Sequence, residues 1–381
     1  MVRRQIHVMC AAVAIAVTAT FPAAPAQADD IRSSEWHLAY LKVSQAQSIT
    51  KGAGVVVGVV DSGVYPHPDL RSNLLKGTDV ASVNGGDGQA DQEGHGTQMA
   101  GLIAGHGNGS GAKNGILGIA PNAKILPVKF TIVADRGGSI QLGNGIKWAV
   151  EHGAKVVNVS ATIGPTPNMD DGIAAASAQD AVVIAGTGNR RLTRVVGYPA
   201  AMPGVLAVGA IDRSGKLASF STTGPETQIC APGVDISAPE PKNKYVKIDG
   251  TSPATAIVSG AAALVRAKFP TLSAQEVIHR LTATATDIGK PGRDDECGFG
   301  VLNIVKALTA NVPPLVPSTA PTASATAAAT TPAAEPTTSE VAAPETTPTS
   351  KTAVFVVLGV IVVIGLGGLF AFLAVRRRKS S

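Results

Sequence analysis

Residues 55–64 read VVVGVVDSGV. The first six are apolar and mostly β-branched, the composition of a strand buried on both faces. Asp61 follows at once, ahead of Ser62-Gly63, where the chain is expected to turn. Four more runs of this kind lie downstream: KILPVKF at 124–130, KVVNVS at 155–160, AVVIAG at 181–186 and VLAVGAI at 205–211. Helical patterns separate several of them, at 97–106, 139–153 and 169–179. This alternation predicts an α/β fold built on a parallel sheet with helices on both faces. Sites in such sheets form beyond the carboxyl ends of the strands. Asp61 stands at such an end, although an aspartate there also suits a simple turn.

Two further residues stand at the edges of regular elements. His95 lies between Gly94 and Gly96 in GHGTQMAG, ahead of a helix expected to begin at Thr97. The glycines leave room for the imidazole to approach a partner, and the alternative is a structural histidine. Ser252 opens the small-residue helix of GTSPATAIVSG, with Pro253 suited to the first helical position. Serine is also a good helix N-cap, so the local pattern alone leaves cap and nucleophile both open. Together the three supply a hydroxyl, a base to take its proton and a carboxylate to orient the base.

These blocks resemble those of the subtilisin-like serine proteases. VVDSGV, GHGTQMAG and GTSPATAIVSG match that family's Asp, His and Ser blocks in the same chain order, and the resemblance runs from about Trp36 to Leu308. It implies a three-layer subtilisin-like fold with a mostly parallel central sheet. It implies that Asp61 orients His95, that His95 is general base and then acid, and that Ser252 is the nucleophile. VIAGTGN resembles the block carrying the oxyanion asparagine, which falls on Asn189; its alternative is a turn residue after Gly188. Substrate is then expected along NVSATIG, residues 158–164, as an added extended strand. Ser160, Ala161 and Thr162 stand where many relatives are richer in glycine, so Thr162 is expected to narrow a subsite. Gly186, Thr187 and Gly188 are expected to form the other wall.

The ends of the chain set its compartment. Residues 1–28 read as a secretory signal, with Arg3 and Arg4, an apolar stretch and a small-x-small site at Ala26-Gln27-Ala28. Residues 353–375 carry no charge and are followed at once by RRRK. At ~1.5 Å per residue they reach roughly 34 Å, enough for one transmembrane helix. Cations remain on the cytoplasmic side, so residues 376–381 are expected inside and the rest outside, at the cell membrane. Residues 311–350, rich in Pro, Thr and Ala, are expected to form a disordered linker. Residues 29–54 are too few for an independent domain and are expected to pack on the core through Trp36, Leu38 and Leu41. Residues 55–310 remain as the peptidase domain. Removing the two charges of Arg3 and Arg4 and the four of the tail from the net +5 leaves −1, which argues against a nucleic-acid partner.

Cys230 and Cys297 are the two cysteines left after export. A pair in an oxidising compartment favours a disulfide, the alternative being two buried thiols. His67 sits in the proline-rich YPHPDL and is expected to be solvated, and His106 is expected at a helix end. No cluster of carboxylates marks a metal site, and no cofactor is implied. The order signal, short extension, protease core, linker, span and basic tail resembles the mycosins, membrane-anchored subtilases associated with type VII secretion. That resemblance implies protein or peptide substrates, and a secretion membrane complex as partner. It leaves three roles: an endopeptidase processing exported proteins, a scaffold stabilising the complex, or a general scavenging protease at the cell surface.

Overall fold

The computed structural model describes residues 31–130 and 139–315. The expected signal (1–28), most of the linker, the span (353–375) and the tail (376–381) lie outside them. Among the described residues no helix is long and apolar enough to cross a membrane.

The elements used below are, in chain order, α1 (Trp36–Tyr40), α2 (Val43–Ile49), β1 (Val56–Asp61), β2 (Thr78–Asp79), α3 (His95–Ala104), β3 (His106–Asn108), β4 (Asn114–Leu117), β5 (Lys124–Lys129), α4 (Ser139–Glu151), β6 (Val156–Val159), α5 (Pro167–Ala178), β7 (Val182–Gly186), β8 (Val205–Ile211), β9 (Ile229–Pro232), β10 (Ile236–Glu240), β11 (Lys244–Ile248), α6 (Thr251–Lys268), α7 (Ala274–Ala283) and α8 (Ile304–Thr309). Seven strands form one sheet in the order β2-β5-β1-β6-β7-β8-β9, and every pair in it is parallel. Two antiparallel pairs, β3–β4 and β10–β11, lie beside it.

Successive side chains of a strand point to opposite faces, and the two faces here have separate cores. Val57 and Val59 of β1, Val156 of β6, Val182 and Ile184 of β7 and Leu206 and Val208 of β8 join the core that holds α3 and α6. Val60, Val157, Val183, Ala185 and Ala207 turn the other way, onto Leu142 and Ile146 of α4 and Met169 of α5. Both faces are thus covered, which is why these strands read as continuous apolar runs rather than alternating ones. The N-terminal extension is tied down as well. Leu41, Val43 and Ala46 enter the α3–α6 core. Trp36 donates its indole N–H to the Val234 carbonyl at 3.1 Å, and the buried Glu35 carboxylate accepts from the Leu117 amide at 3.1 Å.

Four local expectations change. Helix α3 starts at His95 itself, not at Thr97, so the imidazole springs from the first turn. Helix α6 starts at Thr251 with Gly250 as its cap, so Ser252 is not an N-cap and Pro253 sits third rather than first. Proline is tolerated there because the first-turn amides have no intrahelical acceptor. His67 is fully buried rather than solvated. Its ring meets Tyr245 of β11 edge-on at 5.2 Å, and its Nδ1 accepts from the Asp69 amide at 3.2 Å. Burial lowers its affinity for a proton. His106, expected at a helix end, is the first residue of β3.

Candidate active site

Asp61 is the last residue of β1 and is almost wholly buried. Its Oδ1 accepts from the Ser62 amide at 2.8 Å and pairs with His95 Nδ1 at 2.8 Å. Helix α3 can come this close only because residue 96 is glycine. A Cβ there would lie 2.0 Å from the Gly63 carbonyl oxygen.

A second carboxylate locks the same corner. Asp91 is buried, accepts from Ser62 Oγ at 2.9 Å and from the Gly94 amide at 2.8 Å, and with its other oxygen receives the Thr97 amide and hydroxyl. Ser62 Oγ in turn accepts from the Gly96 amide at 3.0 Å. The end of β1 and the start of α3 are therefore cross-braced through Ser62 and Asp91. Burial alone would lower the proton affinity of His95. The adjacent Asp61 charge and its hydrogen bond, with Glu93 and Asp91 beyond, raise it by more, and the ring ends above its ordinary value of 6.5.

Ser252 reaches the same place from the opposite side. Its Oγ donates to the Ser160 carbonyl at 3.3 Å, and Ser160 Oγ returns a bond to the Ser252 carbonyl at 3.2 Å. Asn158 holds this joint. Its Nδ2 donates to Ser160 Oγ at 3.1 Å and its Oδ1 accepts from Ser259 Oγ at 3.0 Å. The first turns of α6 are thereby pinned to the carboxyl end of β6. Asn189 follows β7, and its Oδ1 accepts from the Thr251 amide at 3.2 Å, which fixes the amide plane with Nδ2 turned the other way.

A cleft of about 400 Å³ joins these groups. His95, Ser252 and Asn189 line it, with Ser160, Ala161 and Thr162 from the stretch after β6 and Gly186 and Gly188 from the end of β7. Asp61 stands behind His95. Thr187 does not line the cleft; it is buried, and its hydroxyl finds no partner among the described residues. Glu93, Arg191, Leu192 and Asp249 also line the cleft, and sequence reasoning did not single them out. Nor did it find Asp91. The arginine pair next to Asn189 was the one visible signal among them. Cys230 and Cys297 are bonded, with Cα atoms 5.1 Å apart, in a small apolar group with Ile211 and Val301. Among the described residues no group of three or more His, Cys, Asp or Glu side chains could hold a metal ion.

The arrangement can polarise a hydroxyl toward an imidazole held by a carboxylate. Comparison with known proteins points the same way. Residues 52–300 match the model of the Subtilase family. Subtilisin DY of Bacillus licheniformis is 39% identical over 269 residues, which is 69% of this chain and 93% of that protein. The crystal structure of MycP1 from Mycobacterium smegmatis is similar with a TM-score of 0.63 and 31% identity, over 73% of this chain and 85% of that one. A second MycP1 structure, of a serine protease described as an essential component of the type VII (ESX-1) secretion system, gives a TM-score of 0.64 and 32% identity, over 72% of this chain and 88% of that one.

Proposed function

The chain belongs to the subtilase family and is a serine protease, a hydrolase of peptide bonds; from that premise we propose that Asp61, His95 and Ser252 are its catalytic triad and that it works as a membrane-anchored endopeptidase outside the cell membrane. The observation that carries the proposal is the 2.8 Å bond between Asp61 Oδ1 and His95 Nδ1, in a cleft that Ser252 also lines. With Nδ1 committed to Asp61, Nε2 of the neutral ring is the basic nitrogen.

In the first half-reaction the Ser252 hydroxyl turns from the Ser160 carbonyl to His95. Oγ bonds to the substrate carbonyl carbon as its proton passes to Nε2. The carbonyl oxygen takes up the electron pair and is held by Asn189 Nδ2 and the Ser252 amide at the positive end of α6. When the C–N bond breaks, the pair returns to the carbonyl, and the imidazolium gives its proton to the departing amine. Water then repeats the sequence on the acyl-enzyme, with His95 again taking and returning a proton. An extended peptide lies along residues 160–162; Asn158 and Val159 of the expected 158–164 are already paired with β1 and β7 and are not available to it.

The likeness to MycP1 supports a setting within type VII secretion, with residues 353–375 as the anchor and exported proteins as substrates. A scaffold role in a secretion complex draws on the same likeness, since one MycP1 is described as an essential component of its system. One comparison tests both. Ser252→Ala is expected to lower peptide hydrolysis by about 10⁶-fold, the scale of nucleophile loss in subtilisin. Near-normal turnover in purified Ser252→Ala would end the triad assignment. In cells, processing of exported proteins is expected to fail in Ser252→Ala and in a deletion alike. An effect of deletion alone would favour the scaffold.

A further inference from the structure

Three stretches of chain converge beside Ser252. Ser160, Ala161 and Thr162 line the cleft from the stretch after β6, and Gly186, Gly188 and Asn189 line it from the end of β7, while residues 196–198 are hydrogen-bonded to both stretches. The three are joined by backbone bonds. The Ile163 amide donates to the Tyr198 carbonyl at 3.0 Å, the Tyr198 amide returns the bond at 3.3 Å, and the Gly197 amide donates to the Thr187 carbonyl at 3.2 Å. Gly186 and Gly188 reach the cleft. Thr162 covers Gly197. A Cβ added at Gly197 would lie 2.0 Å from Thr162 Cγ2, so the threonine methyl occupies the space above that glycine. A Cβ added at Gly188 would meet Thr162 Oγ1 at 3.3 Å and Cγ2 at 3.5 Å, and Thr193 Cγ2 at 2.6 Å. A single β-branched side chain thus fills the point where the three stretches meet. Its χ1 is stiff, and the backbone next to it is held by the Ile163–Tyr198 pair.

We infer, resting on the proteolytic reading above, that Thr162 limits the substrate residue on the acyl side of the scissile bond to glycine, alanine or serine. The attacked carbonyl carbon must sit at Ser252 Oγ with its oxygen toward Asn189. The side chain of that same residue then points between the two walls. A hydrogen, methyl or hydroxymethyl group fits over Gly186 and Gly188. A leucine or phenylalanine side chain extends farther, into the volume that Thr162 fills. Close-packed protein does not yield that volume without displacing the threonine and the paired backbone behind it.

The test uses the full chain purified in detergent. A mixture of denatured proteins is digested by the parent, Thr162→Gly, Thr162→Ala and Ser252→Ala proteins, and the new C-termini are sequenced by mass spectrometry. Parent termini are expected to be mainly Gly, Ala and Ser. In Thr162→Gly, Leu and Phe termini should rise about tenfold or more relative to Ala, a scale set by the worth of a few methylenes in a pocket. Thr162→Ala should move the same way by less, and serves if the glycine variant folds poorly. Leu and Phe termini as abundant as Ala in the parent digest would overturn the inference. So would an unchanged distribution in both variants. New termini that depend on Ser252 but ignore size would sink this inference alone. A parent digest no different from that of Ser252→Ala would sink the proteolytic reading, and this inference with it.

Discussion

His95 is held at Nδ1 by a carboxylate that costs the ring its freedom and raises its proton affinity. A general base acts only when neutral. As pH falls through the raised pKa the ring gains a proton and kcat/KM declines, so the acid limb of the pH profile should have its midpoint above 6.5. Asp61→Asn removes the main upward influence. The midpoint should move to lower pH while the rate falls by about 10⁴, as in other serine proteases that lose this aspartate. Steady-state kinetics from pH 5 to 10 checks both, and a parent midpoint below 6.5 would contradict the account. One by one, Asp61, His95 and Ser252 read equally as a turn, a structural histidine and a helix cap; they became candidates only through the resemblance of their three blocks in chain order. Asp91 did not become one. In QADQEG it is one polar residue among several, and its four hydrogen bonds exist only once the loop has folded around Ser62 and Thr97.

At the scale of elements, the five apolar runs correspond to β1 and β5 to β8 within a residue or so at each end, because β-branched residues buried on both faces leave a pattern that tertiary context does not override. The remaining sheet strands were less visible for physical reasons. β2 has two residues, too few for any period, and β9 is four residues long and ends in proline. The β10–β11 hairpin is half solvated on β11, where KYVKI reads as polar as a loop. Helix α7 did carry a signal that went unread: Ser273 and Glu276 form a capping box. The bond between Cys230 of β9 and Cys297 makes a prediction at this scale. It closes a loop with a sequence separation of 67, for which the chain-entropy model gives about 4 kcal/mol. Cys230→Ala with Cys297→Ala should lower the thermal midpoint of the full chain by roughly 10 °C. An unchanged midpoint would show that the bond adds nothing beyond the packing of Ile211 and Val301.

The whole molecule is expected to be oriented by its two ends, which lie outside the described residues and were read from sequence alone. Four cations directly after the span would each cost roughly 2.5–3.5 kcal/mol at the bilayer centre, so the tail resists translocation and the protease domain is left outside. Protease added to cells stripped of their outer layers should cut within residues 311–350 and release an active core. A chain lacking residues 353–381 should appear in the medium, and its retention on membranes would point to a protein partner instead. With such an anchor, any pull on the protein enters from the C-terminal side and reaches α8 first, where Ile304, Ala307 and Leu308 resist it by burial. Beyond α8 the tension meets Cys297 and crosses the sulfur bridge to Cys230 in β9. The covalent loop between the two cysteines is short-circuited. Ser252 lies inside that loop, so the residue proposed to attack the substrate sits on a stretch of chain that the load passes by.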